Sequence, residues 1–130
     1  MNKKKKKQRI SVSSAKAKAR RLQNWAAEKI SGLLGLPWGY DEMIAPREMG
    51  QSGVDVRLVG EALDRFPWSV ECKNQETWSV HSWIEQAQKN VIPDTQWLLI
   101  CARNNKKPVV ILDGEVFFQL LSLKRGKKGL

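Results

Sequence analysis

The stretch that decides the fold is Gly53-Val54-Asp55-Val56-Arg57-Leu58-Val59, an eight-residue connection ending at Pro67, then Trp68-Ser69-Val70-Glu71-Cys72-Lys73. Both halves alternate apolar with other residues, the period-two signature of strands with one face on a core. In the first, Val54, Val56 and Leu58 share a face, and Asp55 and Arg57 share the other. In the second, Trp68, Val70 and Cys72 face the core, and Glu71 and Lys73, two apart, share the opposite face. If the strands pair, Asp55, Glu71 and Lys73 converge on one side of a sheet.

Upstream, Leu22, Ala26, Ile30 and Leu33 recur at three- and four-residue steps, predicting a helix from about Ser14 that Gly35 and Pro37 end. Residues 35–53 are rich in Gly and Pro and read as a loop. Downstream, residues 79–91 fit a helix with Val80, Trp83, Ile84 and Ala87 inward. Thr95 to Ala102 reads as a buried strand and Pro108 to Leu112 as another. An amphipathic helix over Glu115 to Leu123 closes the order α-β-β-α-β-β-α. That order predicts an α/β fold, a small mixed sheet flanked by helices.

The chain has 130 residues, 42% of them hydrophobic, and a net charge of +10, which suits one compact domain. No apolar run reaches the length of a membrane span, and the Lys-rich start lacks a signal peptide's apolar stretch, so the expectation is a cytoplasmic protein without a membrane partner. The charge is unevenly spread: residues 1–21 hold ten Lys and Arg and no acid, whereas residues 22–123 hold nine bases and 13 acids. The division expected is a disordered basic arm over 1–13, a folded domain over 14–123 and a basic tail over 124–130. Lys3, Lys4, Lys5, Lys6 and Lys7 would grip phosphates through counterion release. Arg57, Arg103, Lys106 and Lys107 are the candidates for guiding phosphates within the body.

Two converging carboxylates suit a hard divalent cation, and a lysine beside them can orient water and offset charge on a phosphate. Glu-x-Lys alone is a weak signal, expected about once by chance with eight Glu and 15 Lys in this chain. Its place at the end of an apolar strand, with 15 residues between Asp55 of Gly-Val-Asp and Glu71, is what raises it.

Gly-Val-Asp at 53–55 and Glu-Cys-Lys at 71–73, with a helix before and after, resemble the PD-(D/E)XK nuclease superfamily. Within it, the chain is most similar to the small phage and archaeal Holliday-junction-resolving endonucleases. The resemblance spans residues 14–123 and implies a restriction-endonuclease-like core and Mg²⁺-dependent cleavage of DNA, with Mn²⁺ able to substitute. It implies Asp55 and Glu71 as metal ligands, the Cys72 carbonyl as a third, and Lys73 as the catalytic lysine. Val54 stands where the family usually has Pro. It further implies branched DNA as substrate, a homodimer, and the cytoplasm of a bacterial host for a phage-encoded protein. A nicking, restriction-type or repair endonuclease is the alternative on the same core, and a non-catalytic nucleic-acid-binding module is the alternative of another class.

The family often adds an acid from the first helix. Here the helical wheel sets Gln23 beside the apolar stripe and Glu28 on the polar side, so Gln23 is the candidate at the site edge. Gln86 resembles a glutamine often found near the lysine. His81 reads as a surface or helix-start residue. Trp38 and Trp78 fall in loops where they could stack on bases, although core packing is the default. In Arg47 to Gly53 the glycines would let backbone approach DNA.

Overall fold

The computed structural model describes residues 11–48 and 53–125. Helix α1 (Val12–Leu34) starts two residues earlier than predicted because Ser11 caps it, its hydroxyl accepting from the Ser14 N–H at 3.1 Å. It ends where Gly35 turns left-handed at φ +69° and donates its N–H to the Ser31 carbonyl, two residues before Pro37. The buried row is Lys18, Leu22, Ala26, Ile30 and Leu34. Leu33 is instead 68% exposed, which corrects the predicted stripe: the four-residue step of that row carries it from Ile30 to Leu34.

Five strands follow in the spatial order β1-β2-β3-β4-β5. They are β1 (Ile44–Pro46), β2 (Val56–Leu58), β3 (Trp68–Asn74), β4 (Gln96–Ala102) and β5 (Val109–Ile111). Only β3 and β4 run parallel, and α3 (Val80–Lys89) makes the crossover that such a pair requires. The other neighbours are antiparallel. The chain is therefore the expected α/β fold, a mixed sheet flanked by helices. Two short elements add to the predicted order. Strand β1 lies in the segment read as loop; its three residues are all buried and so show no alternation. Helix α2 (Gly60–Arg65) fills the connection before Pro67.

The sheet has a core on each face. Val56, Leu58, Val70, Cys72, Leu98 and Ile100 pack under α1. On the opposite face Trp97, Leu99 and Cys101 pack with Trp83 and Ala87 of α3. Alternation along β3 and β4 thus feeds two cores, so both strands look almost continuously buried. Trp78 packs against Trp83 with centroids 6.2 Å apart and donates its indole N–H to the Gln75 carbonyl, which makes it a packing residue. Trp38 is 37% exposed.

The amphipathic pattern of helix α4 (Gly114–Arg125) predicts a buried face, but Phe117, Phe118, Leu120, Leu121 and Leu123 are all exposed. The helix also runs into the predicted basic tail. Lys3 to Lys7 and the segment Met49 to Ser52 lie outside the described residues. Among the described residues, no helix is long and apolar enough to cross a membrane.

A small network fixes the α3–β4 connection to β3. Thr95 donates its hydroxyl to the Ile92 carbonyl at 2.8 Å, so the buried Ser69 hydroxyl donates to Thr95 at 2.6 Å and accepts from the Ile92 N–H at 3.0 Å. Ser69→Ala strands two partners and should cost about 1–2 kcal/mol in urea denaturation. A loss within about 0.5 kcal/mol, the range of an ordinary surface change, would show the network to be idle.

Candidate active site

The carboxyl ends of the parallel strands β3 and β4 leave a cavity of about 730 Å³ between α1 and α3. Crevices of this kind, beyond the carboxyl ends of parallel strands, are where open α/β sheets place ligands. Asp55, Glu71, Cys72, Lys73, Gln23 and Gln86 all line it.

Asp55 sits just before β2 and is only 3% exposed. Strand parity with Arg57 suggests a common surface, but β2 begins only at Val56, and the backbone at Asp55 turns the carboxylate inward. Its N–H donates to the Val70 carbonyl at 2.8 Å, and its Oδ2 accepts the Cys72 N–H at 2.7 Å. Oδ1 takes the Arg47 guanidinium at 2.9 Å. Arg47 also donates to the Gly53 carbonyl at 2.9 Å, and its own N–H donates to the Asp55 carbonyl at 2.9 Å.

Glu71, 2% exposed, lies on the α3 side of β3, where Asn90 at the end of α3 donates to its Oε2 at 3.3 Å. Its carboxyl is also close enough to Asp55 for the two to act on each other electrostatically. Burial pushes Glu71 up to about 7, helped by the Asp55 charge beside it. Burial raises Asp55 too, against the Cys72 N–H, Arg47 and Lys73. Half-buried Lys73 is close enough to act electrostatically on both carboxyls. Burial lifts the Cys72 thiol well above its ordinary range and the Cys101 thiol to about 11, so neither is primed as a nucleophile.

No family model, curated protein or solved structure matches this chain.

The site stands on its own geometry. Of the sequence candidates, the structure brings together Asp55, Glu71, Cys72, Lys73 and Gln23, with exposed Gln86 at the cavity edge. Gln23 is buried, whereas Glu28 is exposed on the other side of α1. Arg57 is not brought there: its guanidinium donates to the carbonyls of Tyr40 and Glu42 at 3.0 and 3.1 Å. The parity argument fails for Arg57 because the strand keeps it on the exposed face while Asp55 lies outside the ladder. Arg103, Lys106 and Lys107 are exposed in and beside the β4–β5 turn, with Arg103 near enough to act on Glu76 at the cavity. His81 is exposed.

Sequence reasoning missed Arg47, Asn90 and Lys18 as site residues. Lys18 left a legible signal: it stands four residues before Leu22, at the head of the apolar row. Arg47 and Asn90 left none, since their roles depend on how distant segments meet.

Among the described residues, no three His, Cys, Asp or Glu side chains form a metal-holding group. The pair Asp55 and Glu71 nonetheless fits one hard divalent cation. Two adjacent buried carboxyls with raised pKa values are what a dication would ionise, and Mg²⁺ commonly takes one or two carboxylates and completes its shell with water or phosphate oxygens.

Proposed function

We infer that this protein is a Mg²⁺-dependent endodeoxyribonuclease that hydrolyses phosphodiester bonds. The observation that carries this reading is the convergence of Asp55, Glu71 and Lys73 in one cavity at the end of the sheet. Simple phosphate binding gains nothing from two buried carboxylates, which repel the ligand. Asp55 and Glu71 would hold the cation, with the Cys72 carbonyl as the further ligand that the PD-(D/E)XK resemblance supplies. When bound, the cation lowers the pKa of a water and polarises a phosphoryl oxygen.

This chain's own residues do the rest. The Cys72 N–H and Arg47 orient the Asp55 carboxylate, and Asn90 orients Glu71. The Lys73 ammonium, near both carboxyls, would orient the attacking water and offset charge gathering on the phosphoryl oxygens. As water attacks, one P–O bond forms and the bond to the leaving sugar oxygen breaks, that oxygen ending protonated. Gln23, which lines the cavity, would hold a water or a phosphate oxygen.

Selectivity for branched DNA and action as a homodimer rest on the resemblance to junction-resolving enzymes. The basic arm supplies unselective attraction to DNA, since the remaining body is slightly acidic. The test is cleavage with Mg²⁺ of a four-way junction, a flap, a single strand and a matched linear duplex side by side. Preferential cutting of the junction is expected. Equal cutting of all four points to a restriction-type or repair role, and binding without cutting in Mg²⁺ or Mn²⁺ overturns the nuclease reading.

A further inference from the structure

Lys18 is an unusual residue to find in the buried row of α1. Its side chain is 6% exposed, yet its Nζ lies 3.6 Å from Glu76 Oε2, beyond the roughly 2.7–2.9 Å of a charge-assisted hydrogen bond. Glu76 is itself about half exposed and accepts the Asn104 N–H at 2.8 Å on the same oxygen. A buried ammonium so loosely paired is a poor stabiliser, and an apolar side chain at the head of this row would serve the core better.

The neighbouring contacts hold Lys18 in place at some cost. Asn74, at the end of β3, donates its amide to the Lys18 carbonyl at 3.0 Å, which leaves its own Oδ1 buried without a partner among the described residues. Helix α1 is thus tied to the strand that carries Glu71 and Lys73. Lys18, Asn74, Glu76 and Asn104 all line the cavity that holds Asp55 and Glu71.

We propose that Lys18 is a second phosphate seat in this cavity, taken by a backbone phosphate flanking the one that is cleaved. Glu76 is the stand-in anion that the DNA displaces. The inference rests on the nuclease reading and deepens it, because it gives the cavity a contact for the strand beyond the scissile bond. Glu76 suits the stand-in role because it sits at the outer edge, where release returns it to water. Without Glu76, Lys18 would have no carboxylate at ion-pairing distance among the described residues in the free protein.

The experiment measures binding of a fluorescein-labelled DNA duplex to the full chain in Ca²⁺, over a range of salt concentrations, for the parent, Lys18→Met, Glu76→Gln and the double variant. Lys18→Met should weaken binding about tenfold and lower the magnitude of the log–log salt slope by about one, the signature of one lost phosphate contact. It should melt no lower than the parent. Glu76→Gln should tighten binding several-fold, and that gain should vanish in the double variant. An unchanged salt slope in Lys18→Met, or equal tightening by Glu76→Gln in both backgrounds, overturns the seat. If the parent cleaves DNA and only these outcomes fail, the nuclease reading stands. If the parent neither binds nor cleaves DNA, both fall.

Discussion

Lys73→Met should reduce the single-turnover rate of Mg²⁺-dependent DNA cleavage by about 10³-fold or more, in the range seen when one preorganised donor to a charged transition state is removed. Methionine keeps most of the stem and loses only the ammonium. Lys73 is half-buried at the cavity, and its ammonium holds no ion pair among the described residues, so the variant should fold as the parent does. Affinity for DNA in Ca²⁺ should change only a few-fold, because the loss falls on the transition state. A rate within about tenfold of the parent would remove Lys73 from the chemistry. Asp55→Asn is the companion change: it retains an acceptor for the Cys72 N–H and should be equally inactive. It is the less clean of the two, because it also breaks the pair with Arg47.

Without divalent cation, the protein should lose stability as pH rises from about 4.5 to about 7. The sign follows from Glu71. Its ordinary value is 4.5 and its value in the fold is about 7, so between these the unfolded chain has released a proton that the folded chain still holds. Stability then falls with rising pH, and the raised Asp55 acts in the same direction. The decline should total about 2–3 kcal/mol, from the roughly 1.4 kcal/mol per pKa unit discounted for relaxation of the site. Saturating Mg²⁺ should flatten it, because the cation favours the ionised pair. At about a hundredfold excess over its dissociation constant, the cation should add about 2.7 kcal/mol. Urea denaturation in EDTA and in Mg²⁺ across this range is the measurement, with Glu71→Gln as the control that should make the EDTA curve shallower, leaving only the part due to Asp55. A parent curve that is level or rises in EDTA would overturn the description of Glu71 as a buried carboxyl that keeps its proton up to about pH 7.

What is legible in the sequence and what is hidden divide along a physical line. Local periodicity locates α1, β3, α3 and β4, because each has a face that must be buried and the chain repeats that demand in its residues. It places Glu71 and Lys73 on one face of β3, since two positions along a strand fix that relation. It fails for β1, whose three residues are all buried, and for Leu33, where two adjacent leucines compete for one row. Parity alone makes Asp55 a surface partner of Arg57, yet its orientation is set by hydrogen bonds to Val70 and Cys72, more than a dozen residues away. The roles of Arg47 and Asn90 are likewise products of tertiary packing. Lys18 is the opposite case: its position in the apolar row is visible, but a tally of charge counts it with the basic stretch over residues 1–21.

Arg47 anchors the chain on both sides of residues 48–52. Its backbone N–H and both ends of its guanidinium tie position 47 to Gly53 and Asp55, closing the intervening segment at its base. A segment pinned in this way can be lengthened or replaced at a closure cost of only about 0.6 kcal/mol per doubling of its length, and the carboxylate beneath keeps its orientation. The anchor thereby holds the Asp55 carboxylate independently of the length of chain between positions 47 and 53.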